Sequence, residues 1–203
     1  MEQNMWQIEQ SYFAEGICCI CGVDEAGRGP LAGPVCAAAV ILPPNVEIPG
    51  LNDSKKLSDK RRRELFPVIQ ENALAYAIAF ADHKCIDEIN ILQATYHAMQ
   101  QAIDQLKIKP ELLLVDGNRA KDFGIPVKTV VHGDSLSANI AAASILAKVT
   151  RDDYMLEMAK TYPQYGFEIH KGYGTKAHYE ALAKFGPCEI HRTTFLKKLY
   201  GTQ

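Results

Sequence analysis

Residues 17–42 read ICCICGVDEAGRGPLAGPVCAAAVIL. Two apolar runs, Ile17 to Val23 and Val35 to Leu42, flank the Gly/Pro-rich tract GRGPLAGP, and Pro43-Pro44 closes the second. Short apolar runs bounded by turn residues are strand candidates. With no helix between them they pair as antiparallel neighbours, since parallel strands need a longer crossover. Working outward, ALAYAIAFAD (73–82) is a third strand, ELLLVDG (111–117) a fourth and IPVKTVV (125–131) a fifth. Helical patterning predicts helices over Ser58 to Gln70, with Ser58 as cap, and over Ile86 to Leu106. A long helix is expected over residues 133–160, with Asp134, Ser135 and Ser137 crowding its start, and shorter ones over Thr175 to Phe185 and the last dozen residues. Three strands followed by strands alternating with helices predict an α/β fold: a mixed five-stranded sheet flanked by helices, ending in a helical C-terminal part over about residues 160–203.

The 203 residues carry 22 Lys and Arg against 24 Asp and Glu, a formal net charge of −2, and 47% are hydrophobic. Such a balance excludes a chain dominated by disorder. The length suits one domain, taken as residues 1–203, able to bury about 70% of its unfolded surface without disulfides or structural metal. The apolar run Val35 to Leu42 is far short of the ~18 residues of a membrane helix. The opening MEQNMWQIEQ lacks the cationic and apolar regions of a secretory signal, so a cytoplasmic protein without membrane contact is expected. Of the six cysteines, Cys18 and Cys21 form a C-x-x-C, but residues three apart on a strand face opposite ways. All six are expected as reduced thiols. With no long unmatched apolar stripe, a monomer is expected.

The chemistry lies in carboxylates at the ends of elements. Asp24 and Glu25 close the first strand, Asp116 closes the fourth, and Asp134 stands at a helix start after the fifth. Each alone is an ordinary turn or cap residue. Together at corresponding strand ends they would repel by about 1–4 kcal/mol per pair at 4 Å, and an all-oxygen cluster of that kind suits Mg²⁺ or Mn²⁺. Gly27, Gly29 and Gly33 fit neither a dinucleotide fingerprint nor a P-loop, which open helices. They supply bare backbone that can approach a ligand closely. LNDSKKLSDKRRRELF carries six cations against three acids. Its ordinary reading is a solvated helix face on which Arg62 and Arg63 matter little, and its alternative is local attraction of phosphates. Tyr173, between two glycines in HKGYGT, is poorly placed for a core and suits stacking on a base or sugar.

GVDEAGRGPLAGPV, LNDSKKLS, LLLVDGN, VHGDSLSANIAAASILAKVTRD, YPQYGFEIHKGYGT and CEIHRTTF occur in that order between Gly22 and Phe195. Through these segments the chain closely resembles ribonuclease HII, a metal-dependent nuclease family with the RNase H-like fold. The resemblance implies hydrolysis of the RNA strand of RNA–DNA hybrids, and incision 5′ of a single ribonucleotide in duplex DNA, leaving 5′-phosphate and 3′-hydroxyl ends. It implies a two-metal mechanism in which one ion activates a water and the other stabilises the leaving 3′ oxygen. Asp24, Glu25, Asp116 and Asp134 are the implied catalytic and metal-binding carboxylates, with Asp24 bridging the ions, Asp134 on the nucleophile side, and Glu25 with Asp116 on the other ion. Gly27, Arg28 and Gly29 are implied to read the 2′-hydroxyl, and Tyr173 to pack on the neighbouring deoxyribose. Ser54, Lys55 and Lys56 match a phosphate-contacting segment, with Lys148 a further phosphate contact. The related ribonuclease HIII differs in having Lys where this chain has Arg28, and a separate N-terminal binding domain. A binding module that has lost catalysis would lack one or more of the four carboxylates, and a small-molecule phosphatase would need neither the basic segment nor the G-Y-G loop.

Overall fold

A computed structural model describes residues 5–200. Five strands form one sheet: β1 (Ile20–Ala26), β2 (Val35–Ile41), β3 (Ala75–Ala81), β4 (Leu112–Asp116) and β5 (Val127–Val130), in the order β3-β2-β1-β4-β5. The pairs β1–β2 and β2–β3 are antiparallel, whereas β1–β4 and β4–β5 are parallel. The expected mixed sheet is therefore observed. Seven α-helices accompany it among the described residues: α1 (Gln7–Ala14), α2 (Asp59–Asn72), α3 (His83–Asp104), α4 (Ala138–Thr161), α5 (Phe167–His170), α6 (Lys176–Phe185) and α7 (Lys197–Tyr200).

One face of the sheet packs on α3 through Val23, Val35, Ala79, Ile86, Ala98 and Met99, among others, all buried. The other face packs on α2 and α4 through residues such as Ala38, Val40, Leu65, Ile69, Ala142 and Leu146. Small side chains let α4 lie unusually close to the sheet. A Cβ on Gly22 would sit 2.1 Å from the Asn139 carbonyl carbon, so only glycine fits there. A third cluster, with Ala32, Met155, Tyr165, Phe167 and Leu182, joins the end of α4 to α5 and α6. No described helix is long and apolar enough to cross a membrane.

Several boundaries differ from the sequence reading for local reasons. β1 begins at Ile20 and runs on to Ala26, because Asp24 and Glu25 pair with Ala38 and Ala37 across the ladder. Cys18 precedes the strand and is exposed, while Cys21 within it is buried, and the cysteines are free thiols. The Ser58 cap is observed, accepting from the Arg61 N–H. Asp134 is not a helix cap. It lies in a 3₁₀ turn, Gly133–Ser135, and Ser137 caps α4 by accepting from the Ile140 N–H. α3 is two helical pieces, broken at Asn90 (φ 68°), whose side chain accepts from the Leu92 and Gln93 N–H groups. The C-terminal helix is shorter than expected, a 3₁₀ turn at Thr193–Phe195 followed by α7. The remainder of that expectation, residues 201–203, lies outside the described residues, as do residues 1–4. α1 has no counterpart in the sequence reading. It docks through Glu9, a fully buried carboxyl that accepts from the Ser137 hydroxyl (2.5 Å) and the Asn139 side-chain amide (3.0 Å).

Candidate metal centre and nucleic-acid cleft

The parallel pairing of β1 with β4 sets Asp24 and Asp116 side by side at the C-terminal ends of adjacent strands, where α/β sheets build their sites. The 3₁₀ turn after β5 swings Asp134 toward them, because the Gly133 N–H donates to Asp116 Oδ1 at 2.7 Å. One carboxylate oxygen from each of Asp24, Asp116 and Asp134 lies within 4.8 Å of the other two. Asp24 and Asp134 are buried and Asp116 half-buried. Glu25 is not part of this trio. Its Oε1 is 3.3 Å from Arg28 Nη1, at the edge of the same cleft.

Burial holds the Asp24 carboxyl well above the ordinary carboxylate range, and the charges of Glu25 and Asp116 push it further. Hydrogen bonds from Ser144 and the Glu25 N–H (2.7 Å to Oδ1) oppose the rise without cancelling it. Burial likewise raises Glu25, against the pull of Arg28, and raises Asp134 despite Lys55. Lys55 Nζ donates to Asp134 Oδ2 at 3.1 Å. Burial disfavours that ammonium, but Asp134, Asp24 and Asp116 outweigh it and raise its pKa. Desolvated like charges at this spacing favour whatever neutralises them, a proton or a hard cation. The donors are all carboxylate oxygen, the set that suits Mg²⁺ or Mn²⁺ rather than zinc. The residues present thus fit a divalent cation.

A cleft of about 260 Å³ opens beside the trio, lined among others by Gly27, Arg28, Gly29, Ser54, Lys55, Lys148 and Tyr173. The structure therefore gathers the sequence-derived residues into one place, with one exception. Lys56 is exposed and does not line the cleft. Lys148 pairs with Asp152 at 2.8 Å, and its ammonium lies 6.0 Å from the centre of the Tyr173 ring. Tyr173 is 42% exposed, so its ring is available to a ligand.

Two residues were missed. Ser144, on α4, bonds Asp24 and shares a hydrogen with Ser54 Oγ at 2.7 Å, tying the basic loop to the carboxylates. It sits in the small-residue run AAAS, which looks purely like packing. Arg62 is not a solvated surface residue. Its side chain is 13% exposed and donates to the Ser54 carbonyl (2.8 Å) and the Leu57 carbonyl, lining the cleft. Arg63 does behave as a surface group, pairing with Asp59 and Asp153.

Similarity to known proteins runs along the same segments. The family model described as Ribonuclease HII matches residues 21–198. A ribonuclease HII from Caldicellulosiruptor bescii is 53% identical over 198 residues, covering 98% of this chain and 96% of its own. One from Endomicrobium trichonymphae is 57% identical over 197 residues, covering 96% and 93%. The crystal structure of ribonuclease H2 from Pyrococcus horikoshii OT3 superposes with a TM-score of 0.73 at 28% identity, covering 86% of this chain and 92% of that one.

Proposed function

The chain belongs to the ribonuclease HII family of RNA–DNA hybrid endoribonucleases, and we propose that it also incises duplex DNA 5′ of a lone ribonucleotide. The products would be 5′-phosphate and 3′-hydroxyl ends. The observation that carries the reading is the Asp24, Asp116 and Asp134 trio at strand ends, its oxygens within 4.8 Å, at the mouth of a cationic cleft. In this reading Asp24, Glu25, Asp116 and Asp134 hold two divalent cations, Mg²⁺ or Mn²⁺. When bound, such ions supply water activation and stabilisation of the leaving oxygen.

The chain's own groups do the rest. Asp24, whose neighbours in charge are Glu25 and Asp116, would be the ligand shared by the two ions, while Glu25 extends the cluster toward Arg28. Ser54, Lys55 and Lys148 line the cleft with a hydroxyl and two ammonium groups, which would meet the backbone phosphates. Contacts of that type fix register without reading sequence. Gly27, Arg28 and Gly29 line the cleft, Gly27 buried and the other two exposed, and offer backbone and a guanidinium to a 2′-hydroxyl, which both donates and accepts. Tyr173 stands across from Gly29 and packs on the next sugar, where a second hydroxyl would clash. A site that needs one hydroxyl beside a site that rejects one defines an RNA-to-DNA junction.

The test is a labelled DNA duplex with one ribonucleotide, incubated with Mg²⁺ or Mn²⁺, beside EDTA, all-DNA and continuous-hybrid controls. A metal-dependent cut immediately 5′ of the ribonucleotide is expected. Cleavage of continuous hybrid alone would refute junction recognition. Tyr173→Ala is expected to lower incision at the lone ribonucleotide more than it weakens duplex binding, and equal losses would remove Tyr173 from that role.

A further inference from the structure

Arg151 and Arg192 are among the largest fully buried side chains, and neither forms a salt bridge among the described residues. Both spend their hydrogens on backbone carbonyls, all but one of them in residues 27–34. Arg192 donates from Nη2 to Gly27 O (2.6 Å), from Nη1 to Arg28 O (2.9 Å) and from Nε to Gly33 O (2.9 Å). Arg151, on α4, donates from Nε to Pro34 O (3.0 Å), from Nη2 to Ala32 O (3.2 Å) and from Nη1 to Lys171 O (3.1 Å). A buried cation is costly unless its hydrogens are fully used, so a pair of them marks a geometry held at some expense. The planar fork directs its donors along fixed lines, which an ammonium cannot imitate.

The held segment, residues 27–34, is the one that meets Tyr173. The Leu31 N–H donates to Gly172 O at 2.8 Å, and a Cβ on Gly29 would lie 3.8 Å from Tyr173 Cε1. At Gly27 (φ +97°) a Cβ would lie 1.9 Å from Arg151 Nε, so the guanidinium occupies the space that a side chain would need. The strip carrying Arg192 is anchored from outside the cleft. Asp87 on α3 accepts from the backbone N–H and the hydroxyl of both Thr193 and Thr194, at 2.5–3.0 Å.

We propose that Arg192 is a specificity-determining positioning residue: its fork fixes the Gly27–Gly29 backbone at a set distance from Tyr173, and thereby sets the preference for a lone ribonucleotide over a continuous RNA strand. The proposal rests on the junction-reading roles assigned above to Gly27–Gly29 and Tyr173. Arg192 touches neither the carboxylate trio nor the cleft, so it acts only through the loop. If the loop slackens, the lone 2′-hydroxyl is read less well. At the same time Tyr173 rejects the neighbouring hydroxyl less strictly. Both changes move the substrate preference in one direction, whereas a general loss of folded protein lowers both reactions together.

The experiment measures kcat and KM of the full chain on a single-ribonucleotide duplex and on a continuous RNA–DNA hybrid, for wild type, Arg192→Lys and Asp87→Asn. Arg192→Lys keeps the charge and loses the fork. It is expected to lower the ratio of the two kcat/KM values, lone ribonucleotide over hybrid, by about tenfold. Asp87→Asn, remote from the cleft, should give a smaller fall in the same direction, and it decides the matter if Arg192→Lys does not fold. An unchanged ratio, whether both activities fall equally or neither falls, overturns the proposal. A wild type that cuts hybrid but not the lone ribonucleotide refutes the underlying reading and the proposal with it, an outcome visible before any variant is compared.

Discussion

At the scale of single residues, the carboxylate trio sets function against stability. Asp24 is 4% exposed and crowded by Glu25 and Asp116, so its charge is unfavourable without a cation. Asp24→Asn removes one charge while keeping the shape. Cleavage should fall by more than the ~10–100-fold that loss of an outer partner of a metal ligand costs. In EDTA the same variant should melt no lower than wild type, because repulsion on the order of 1–4 kcal/mol per close pair is relieved. A thermal melt in EDTA checks this, and a clearly lower Tm would mean that Asp24 is structural. Arg62 makes the opposite case. Its removal leaves the Ser54 and Leu57 carbonyls without their donor, at a cost of about 1–3 kcal/mol, and frees the loop that carries Lys55. Arg62→Ala should therefore raise KM and lower the melting temperature, whereas Arg63→Ala should do neither, since exposed pairs are worth about 0–1 kcal/mol. Identical behaviour of the two variants would contradict the distinction.

At the scale of elements, the site depends on how closely α4 lies on β1. Gly22→Ala would drive a methyl into the Asn139 backbone, and overpacking of that kind costs about 1–3 kcal/mol, or roughly 2–12 °C in Tm. Activity should fall with it, because Asp24 follows Gly22 on the same strand and Ser144 rides on α4. A variant with unchanged melting and activity would show that α4 can yield. Much of this arrangement was legible in the sequence. Apolar runs mark the strands, and the Ser58 cap announces α2. The carboxylates were legible because each lies at or close to the end of an element. What escaped was whatever depends on distant partners. α1 is short and weakly patterned, and its docking rests on Glu9 reaching Ser137, 128 residues away. Arg62 stands in KRRRE and looks solvated until the 54–57 loop folds over it. Arg151 and Arg192 bond carbonyls of residues 27–34, more than a hundred residues away, a relation that no spacing along the chain encodes.

At the scale of the whole molecule, the C-terminal layer that supports Tyr173 is stacked on buried histidines. The rings of His170 and His178 lie 4.5 Å apart, and His178 Nε2 is 3.0 Å from His191 Nε2. The surrounding bonds assign the hydrogens. His191 Nδ1 accepts from the Cys188 N–H, so its Nε2 donates to His178 Nε2, leaving His178 Nδ1 to donate to the Tyr173 carbonyl at 3.0 Å. Both rings are thus neutral in the fold, and a proton on His178 would set two N–H groups face to face. Burial pushes His191 down to about 4, helped by the neighbouring His178, and burial lowers His178 as well. In the unfolded chain an imidazole titrates near 6.5. Between about pH 6.5 and pH 4 the unfolded state binds the extra proton, so stability is complete above that window and is lost as pH falls through it. One such histidine withdraws about 3 kcal/mol across the window. The crowded carboxylates act with the opposite sign, since their folded pKa values are raised and acid relieves them. The net slope therefore hides the histidine contribution, but a substitution isolates it. His191→Asn should be less stable than wild type near neutrality, having lost a buried ring and its bonds. Its Tm should then fall less steeply between about pH 7 and pH 4.5, so that the two curves converge in acid. Parallel curves would mean that His191 takes up its proton at the same pH in the fold as in the unfolded chain, and would refute the neutral chain from Cys188 to the Tyr173 loop.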